Sequence, residues 1–293
     1  MIIDKMVLNV EIPVHSYEDG FKKVNWDTVQ QYFANLQLLG VKYYESFQFK
    51  KYQHTWKVSY GSRTVLVQAL HNTKVRGKDT PHDFRIEWNP DRFAEFIPEE
   101  LSLLMSMASR MTLKRMDIAY DVKVSPDELV CLDNSKTWNI YKGTRYYGAK
   151  GENQLVIYDK RKEIADNQKR DIGHELTRVE YRIMSNTIVY DAKIKGVAKK
   201  VTVSDMRFPN VYYLSDMDKS KPDMALMVIG ARYDPIQYKA LSRHYREKIS
   251  RYLSKGKKIA FPSMAVDIEK AVNETIGSMI DWVQLDKESV IQV

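Results

Sequence analysis

Four short stretches hold the residues that could do chemistry: FRIEWN (84–89), RMDIAYDV (115–122), LVIYDK (155–160) and RVEYRI (178–183). Each reads as a strand, and strand side chains alternate between two faces. One face collects Phe84, Ile86, Trp88, Met116, Ile118, Leu155, Ile157, Val179, Tyr181 and Ile183. The other collects Glu87, Asp117, Asp121, Tyr158, Lys160, Arg178, Glu180 and Arg182. If the four strands share one antiparallel sheet, its polar face brings Glu87, Asp117 and Glu180 together near the phenol of Tyr158.

Three crowded carboxylates repel unless a cation or protons neutralise them. Oxygen-only donors suit Mg²⁺ or Mn²⁺, hard ions that keep water positions open for a phosphate. Such an ion polarises a phosphoryl oxygen and favours the phenolate of a tyrosine, whose ordinary pKa is about 10. Arg178 and Arg182 are placed to clamp the same phosphate or to balance the acids. The competing reading is structural: polar faces of antiparallel sheets are ordinarily charged, and cross-strand carboxylate–arginine pairs hold such sheets together. Parity alone leaves both open.

Other chemistries find less to work with. The six histidines are scattered, without a His-x-His or HExxH spacing, and neither GxxxxGK[ST] nor GxGxxG occurs, so no phosphate-cradling loop is present. The single cysteine, Cys131, excludes an internal disulfide and a thiolate zinc cluster. It lies in an acidic stretch, a poor setting for a thiolate nucleophile. No apolar run is long enough for a membrane span, and the start MIIDKMVLNVEIPV lacks the plan of a signal peptide. The chain is accordingly read as cytoplasmic, with no membrane partner. Its net charge of +8 and 19 tyrosines are a composition that contacts to phosphates and bases would use.

The elements that must position these groups follow from periodicity and punctuation. Strand-like alternation fills the first third, with Gly61-Ser62 as a hairpin turn, and one helix is expected between Asn25 as N-cap and Gly40 as stop. A second helix is expected over IPEELSLLMSMASRM, with Arg110 in its last turn. The charged run DKRKEIADNQKR after Tyr158 reads as a helix. Past about residue 190 the pattern turns helical. In DPIQYKALSRHYREKISRYLSKGKK one apolar stripe can unite Ile236, Leu241, Tyr245, Ile249 and Leu253, with Lys239, Arg243, Arg246, Lys248 and Arg251 largely outside it. The expected fold is α+β: curved, mainly antiparallel, saddle-like sheets flanked by helices, with a helical C-terminal part. Three parts are expected: a strand-rich 1–80, a catalytic sheet over 81–190, and a basic, helical 191–293 for DNA binding or dimerisation.

Taken in order, FRIEWNP, KRMDIAYD, QLVIYDKRKE and LTRVEYRI resemble the Rep_trans family of rolling-circle plasmid replication initiators and related relaxases of mobile elements. The resemblance spans about a third of the chain, residues 84–184. It implies that Tyr158 cleaves one DNA strand at an origin, stays joined to the 5′ phosphate and frees a 3′ hydroxyl as a primer. It implies a divalent ion, Mg²⁺ or Mn²⁺, on Glu87, Asp117 and Glu180, with Asp121 as the alternative within RMDIAYD. A homodimer and a host helicase are implied as partners, with double-stranded origin DNA and single-stranded DNA as substrates. Lys160, Arg161 and Lys162 could hold the DNA backbone beside the nucleophile. Arg243, Arg246, Lys248, Arg251 and Lys255 could contact duplex phosphates. Two rivals stand beside this reading: a non-catalytic DNA-binding regulator whose acids only pair with arginines, and a hydrolytic metal nuclease in which water attacks.

Overall fold

The computed structural model describes residues 2–11, 15–18, 21–24, 42–46, 54–60, 63–69, 72–74, 84–90, 108–132, 138–192, 196–197, 201–202, 208–259, 267–274 and 276–277. The helices expected over 25–40 and 97–107 lie outside the described residues. The strands in chain order are β1 (Ile2–Glu11), β2 (His15–Glu18), β3 (Phe21–Val24), β4 (Lys42–Ser46), β5 (His54–Tyr60), β6 (Arg63–Ala69), β7 (Asn72–Lys74), β8 (Phe84–Trp88), β9 (Arg110–Val122), β10 (Leu129–Val130), β11 (Trp138–Tyr141), β12 (Thr144–Tyr147), β13 (Gln154–Asp159), β14 (Thr177–Asp191), β15 (Gly196–Val197) and β16 (Tyr212–Tyr213). The helices are α1 (Lys160–Gln168), α2 (Pro222–Tyr233), α3 (Pro235–Ala240) and α4 (Arg243–Leu253). The architecture is α+β and dominated by antiparallel pairing.

The chain forms two compact units, and it passes between them at Met116/Asp117 and Met184/Ser185, inside β9 and β14. The larger unit takes Ile3–Met116, Ser185–Val203 and Asp267–Val293. Its sheet runs β9-β1-β8-β6-β5-β4. The alternation read from FRIEW holds, since Phe84, Ile86 and Trp88 are buried while Arg85 and Glu87 are partly exposed. Register makes the reason plain: Trp56, Val67, Ile86 and Leu8 stand opposite one another across four strands as one apolar row. Cross-strand apolar pairs of this kind are the unit of sheet stability. Tyr60 pairs with Arg63; Gly61-Ser62, expected as the turn, lie outside the described residues. A small sheet, β2-β3-β7, accompanies it.

The second unit takes Asp117–Met184 and Ser204–Val266, with Met1–Ile2. Its sheet runs β11-β12-β13-β14 and on to the C-terminal half of β9. Leu155 faces Tyr181 and Ile157 faces Val179, all four buried, and Phe208 packs on Tyr181 with ring centroids 5.2 Å apart. A helical cluster of Met224, Val228, Ala231, Tyr238, Ile249, Tyr252 and Leu253 packs on Val130. Arg145, on the same sheet face as Ile157, donates to the carbonyls of Leu129 (2.8 Å) and Pro126 (2.6 Å) and ties that cluster to the apolar side of the sheet. The phenol of Tyr147 lies on this side too. Burial pushes its pKa up, and its charged neighbours are Arg145 and, from α2, Arg232.

Two local expectations are corrected, and one helix was not foreseen. Arg110 opens β9 rather than closing a helix. The basic C-terminal segment is two helices rather than one, because Ser242 accepts from the Tyr245 N–H and starts α4 afresh. That restart turns the apolar face onto Ile249, Tyr252 and Leu253 and leaves Tyr245 exposed. Helix α2, a Pro-initiated helix, went unread in the sequence although Pro222 at its first turn is the usual signal.

Candidate functional site

The site is built on β13, β14 and the end of β9, all in the second unit. Register places Tyr158 opposite Arg178, Val156 opposite Glu180 and Gln154 opposite Arg182. Opposed residues share a face, so the phenol lies with the arginines and the glutamate, away from Leu155 and Ile157. The separation of faces expected from parity is therefore present in this unit. One feature differs from an ordinary solvated polar face. Arg178 and Glu180 are 6% and 4% exposed, and Asp117 is 1% exposed. Buried charges are stable only when matched.

The matching is specific. Arg178 donates through Nε and one terminal nitrogen to the two carboxylate oxygens of Asp121, both at 2.7 Å. This two-point contact fixes the plane of the guanidinium, as a single ammonium contact would not. Asp121 itself is partly exposed, with a third of its side chain accessible. Arg182 donates to Glu180 at 2.6 Å and to the Gln154 side-chain oxygen at 3.4 Å. Tyr158 is half-buried at the rim, and the Lys160 Nζ stands 6.0 Å from the centre of its ring. A phenol thus has a guanidinium directly across the strand and an ammonium two residues on.

Local sequence explains the junction that holds it. Asp159 is extended and accepts from the Lys162 N–H at 2.8 Å, so it caps α1 one residue after Tyr158. The next two helical N–H groups, of Lys160 and Arg161, donate to the Leu176 carbonyl just before β14. The helix start is therefore bonded to the neighbouring strand. Lys160 also pairs with Glu163. Arg161 is committed to Asp171 through two contacts, 2.8 and 2.9 Å, and to Glu175 at 3.3 Å. Lys162 remains exposed. Of the three basic residues that follow Asp159, one faces the Tyr158 ring, one staples the loop behind α1, and one faces solvent.

Of the carboxylates expected to hold a divalent ion, Glu87, Glu180 and the alternative Asp121 are engaged with cations instead, and Asp117 is buried. Glu87, in the larger unit, accepts from Lys5 at 2.5 Å and from Arg85 at 2.8 Å. Glu180 is bonded to Arg182 and Asp121 to Arg178. Among the described residues, no group of three or more His, Cys, Asp or Glu side chains is arranged to hold a metal ion. As paired, these donors do not fit a three-carboxylate ion site. On α4, Arg243 pairs with Glu247 at 2.7 Å and Arg246 donates to the Lys239 carbonyl at 2.8 Å. Lys248, Arg251 and Lys255 are exposed. The sequence reading missed the role of Asp121. A carboxylate on the polar side of β9, facing an arginine on the neighbouring strand, was the signal that could have found it.

Fold and site together define an α+β protein with a phenol set among ordered cations on the polar face of an antiparallel sheet. No protein-family model matches the chain, and no curated protein matches it in sequence. Among solved structures, a likeness is found to the rolling-circle replication initiator protein from Geobacillus stearothermophilus. It has 16% identity over 62% of this chain and 73% of that chain, with a TM-score of 0.33. A likeness of that degree carries no argument about what this chain does. Among the described residues no helix is long and apolar enough to cross a membrane.

Proposed function

We propose that the protein nicks and rejoins one strand of DNA at an origin by transesterification on Tyr158, as a replication initiator or relaxase. The observation that carries the reading is the placement of Tyr158 directly across from Arg178, whose guanidinium Asp121 holds by two contacts. The motif order quoted from the sequence adds the family resemblance; the solved structure adds nothing to it.

In the proposed step a phosphodiester lies over the rim of the sheet between Arg178 and Lys160. The Tyr158 oxygen attacks phosphorus and forms a new P–O bond. The bond from phosphorus to the 3′ oxygen breaks, the phenolic proton is given up and the 3′ oxygen takes one. The products are a 5′-phosphotyrosine and a 3′ hydroxyl that can prime synthesis. One phosphoester replaces another, so the reverse reaction reseals the strand without ATP. Arg178 contributes charge where the phosphoryl oxygens become more negative, and its fixed orientation spares reorganisation. Lys160 supplies a second positive charge, and the Asp159 cap keeps the phenol's strand and helix in register.

The divalent-ion requirement that the resemblance implies, with Mg²⁺ or Mn²⁺ on Glu87, Asp117 and Glu180, belongs to this proposal as a measurable condition. An ion there has to displace Lys5 and Arg85 from Glu87 and Arg182 from Glu180. Homodimer formation and recruitment of a host helicase are further parts of the proposal.

The test incubates the protein with supercoiled plasmid carrying its origin, or with single-stranded origin DNA, with Mg²⁺ and with EDTA. Samples are then denatured and protein-linked DNA is measured. The reading predicts an adduct that Tyr158→Phe abolishes while bound DNA stays within about twofold of wild type. Cleavage that persists with phenylalanine identifies a hydrolase, and binding without any cleavage identifies a regulator; either result overturns it. The EDTA arm decides the ion separately.

A further inference from the structure

The polar face that carries Tyr158 continues into the hairpin of β11 and β12. Tyr141 pairs with Thr144, and Arg145 pairs with Ile157. Continuing that register by one residue sets Thr144 opposite Tyr158, which is opposite Arg178. Tyr141, Thr144, Tyr158 and Arg178 therefore form one line across four strands on one face. Adjacent strands are spaced by about 4.8 Å, so the backbone of Tyr141 stands roughly 10 Å from that of Tyr158. The next row, Asn139, Tyr146, Val156 and Glu180, adds a second half-buried tyrosine to the same face.

Folding does not account for Tyr141. The residue is 62% exposed at the tip of the hairpin, where a polar residue costs less. The tip is a tight two-residue turn between Tyr141 and Thr144. Lys142 and Gly143 both have positive φ, 49° and 80°, the two-residue turn whose twist matches paired strands. Lys142 is a non-glycine residue in the left-handed region, a conformation that costs energy and concentrates at functional positions. Its Nζ lies 5.5 Å from the centre of the Tyr141 ring. An exposed ring with an ammonium beside it, on a preformed hairpin, is the pair of groups that takes a base on the ring and a phosphate on the charge. Ile140 is exposed at the same tip but on the other face.

We propose that the β11–β12 hairpin is a platform for single-stranded DNA, on which Tyr141 stacks an unpaired base next to the phosphate offered to Tyr158. The occupant is unpaired because a base within a duplex already has both faces covered by its neighbours. The inference rests on the DNA strand-transfer reading for its ligand and names the form of substrate that reading uses: a melted strand rather than closed duplex. Lys142 stands beside Tyr141, and Arg178 and Lys160 stand beside Tyr158, so cations accompany both tyrosines, and the net charge of +8 is complementary to a DNA strand that joins them.

The test measures binding by fluorescence anisotropy, with a labelled oligothymidylate of about 20 nucleotides and a duplex of the same length. Tyr141→Ala is expected to weaken binding of the single strand about tenfold, the loss of one stacked base, and of the duplex by less than about twofold. Tyr141→Phe, which keeps the ring, restores single-strand binding. Circular dichroism of both variants checks that the hairpin substitution has not unfolded the protein, and the phenylalanine variant keeps the comparison decisive if alanine does unfold it. Equal losses on both probes, an unchanged single-strand affinity, failure of phenylalanine to restore it, or a wild-type protein that binds neither probe overturns the platform. The two proposals fail separately. A tyrosine adduct with unchanged Tyr141→Ala binding removes the platform alone, and a selective Tyr141→Ala loss without any adduct removes strand transfer alone.

Discussion

The contrast between two tyrosines one strand apart shows what environment does to a phenol. Tyr147 is on the apolar side of the sheet, where burial raises its pKa and keeps it protonated. Tyr158 is on the polar side, across from an ordered guanidinium. Only the second is placed to meet a phosphate. In the proposed step Asp121 acts through Arg178, as a positioning residue. Asp121→Asn keeps the shape but gives up one charge-assisted contact, since an amide offers a single acceptor oxygen to the two donors. The expected result is a 10- to 100-fold slower adduct rate, about the cost of a misplaced charged donor. A structural loss of about 1–3 kcal/mol accompanies it, because a buried arginine loses its counter-charge. Single-turnover kinetics and urea unfolding measure the two separately. An unchanged rate in a protein destabilised to this extent would make the pair purely structural.

At the level of elements, the strand-to-helix junction after Tyr158 sets the position of its phenol. Asp159→Ala removes the cap of α1 and should cost about 1 kcal/mol in urea unfolding. It should also slow adduct formation more than substitutions at the far end of the helix. The loop behind α1 is closed by Arg161 on Asp171. The Arg161 side chain, followed by the Gly173 N–H, holds the Asp171 carboxyl well below the usual carboxylate range. A carboxylate whose pKa is depressed on folding stabilises above its unfolded value of about 3.9, and loses that contribution as pH falls through the folded value. The gap in stability between wild type and Asp171→Asn should accordingly be widest near neutral pH and narrow as the pH falls below about 3.9. Thermal melts across that range read it. The contribution is small because both groups face solvent.

Much of this level was legible in the sequence. Alternation of residue type in FRIEW, LVIY and RVEYRI identifies the strands and their faces; burial follows the same period in FRIEW alone, since Val156, Arg178 and Glu180 are buried along with the apolar face. The length of β14, which runs on to Asp191, was not legible, since IMSNTIVYD has no clean alternation. Nor was the restart at Ser242, because an apolar stripe drawn through KALSRHY ignores a capping serine that competes with it. Parity placed Tyr158, Arg178, Glu180 and Arg182 on one face. It gave no account of which acid meets which arginine, since that depends on side-chain reach across strands.

For the molecule as a whole, charge gives the prediction. A chain with net charge +8 that neutralises several phosphates releases their counterions, and its affinity falls steeply with salt. Lys248, Arg251 and Lys255 are exposed on or just after α4, whereas Arg243 and Arg246 are engaged within the helical segment. Alanine at the three exposed positions should lower the slope of log affinity against log salt on duplex DNA by up to about three, nearly one per lost phosphate contact. An unchanged slope removes this segment from the DNA interface. The helical cluster is tied to the apolar side of the sheet, through Arg145 and the residues before Val130, so any duplex contact there is separate from the face that carries Tyr158.

The central claim is that the phenol of Tyr158 becomes covalently joined to DNA. The most direct measurement digests the denaturant-stable protein–DNA product with protease and nuclease and sequences the modified peptide by tandem mass spectrometry. The account predicts a nucleotide linked through phosphate to Tyr158, within the peptide that precedes Asp159-Lys160. A nucleotide on any other tyrosine, or cleaved DNA with no modified peptide at all, would contradict it.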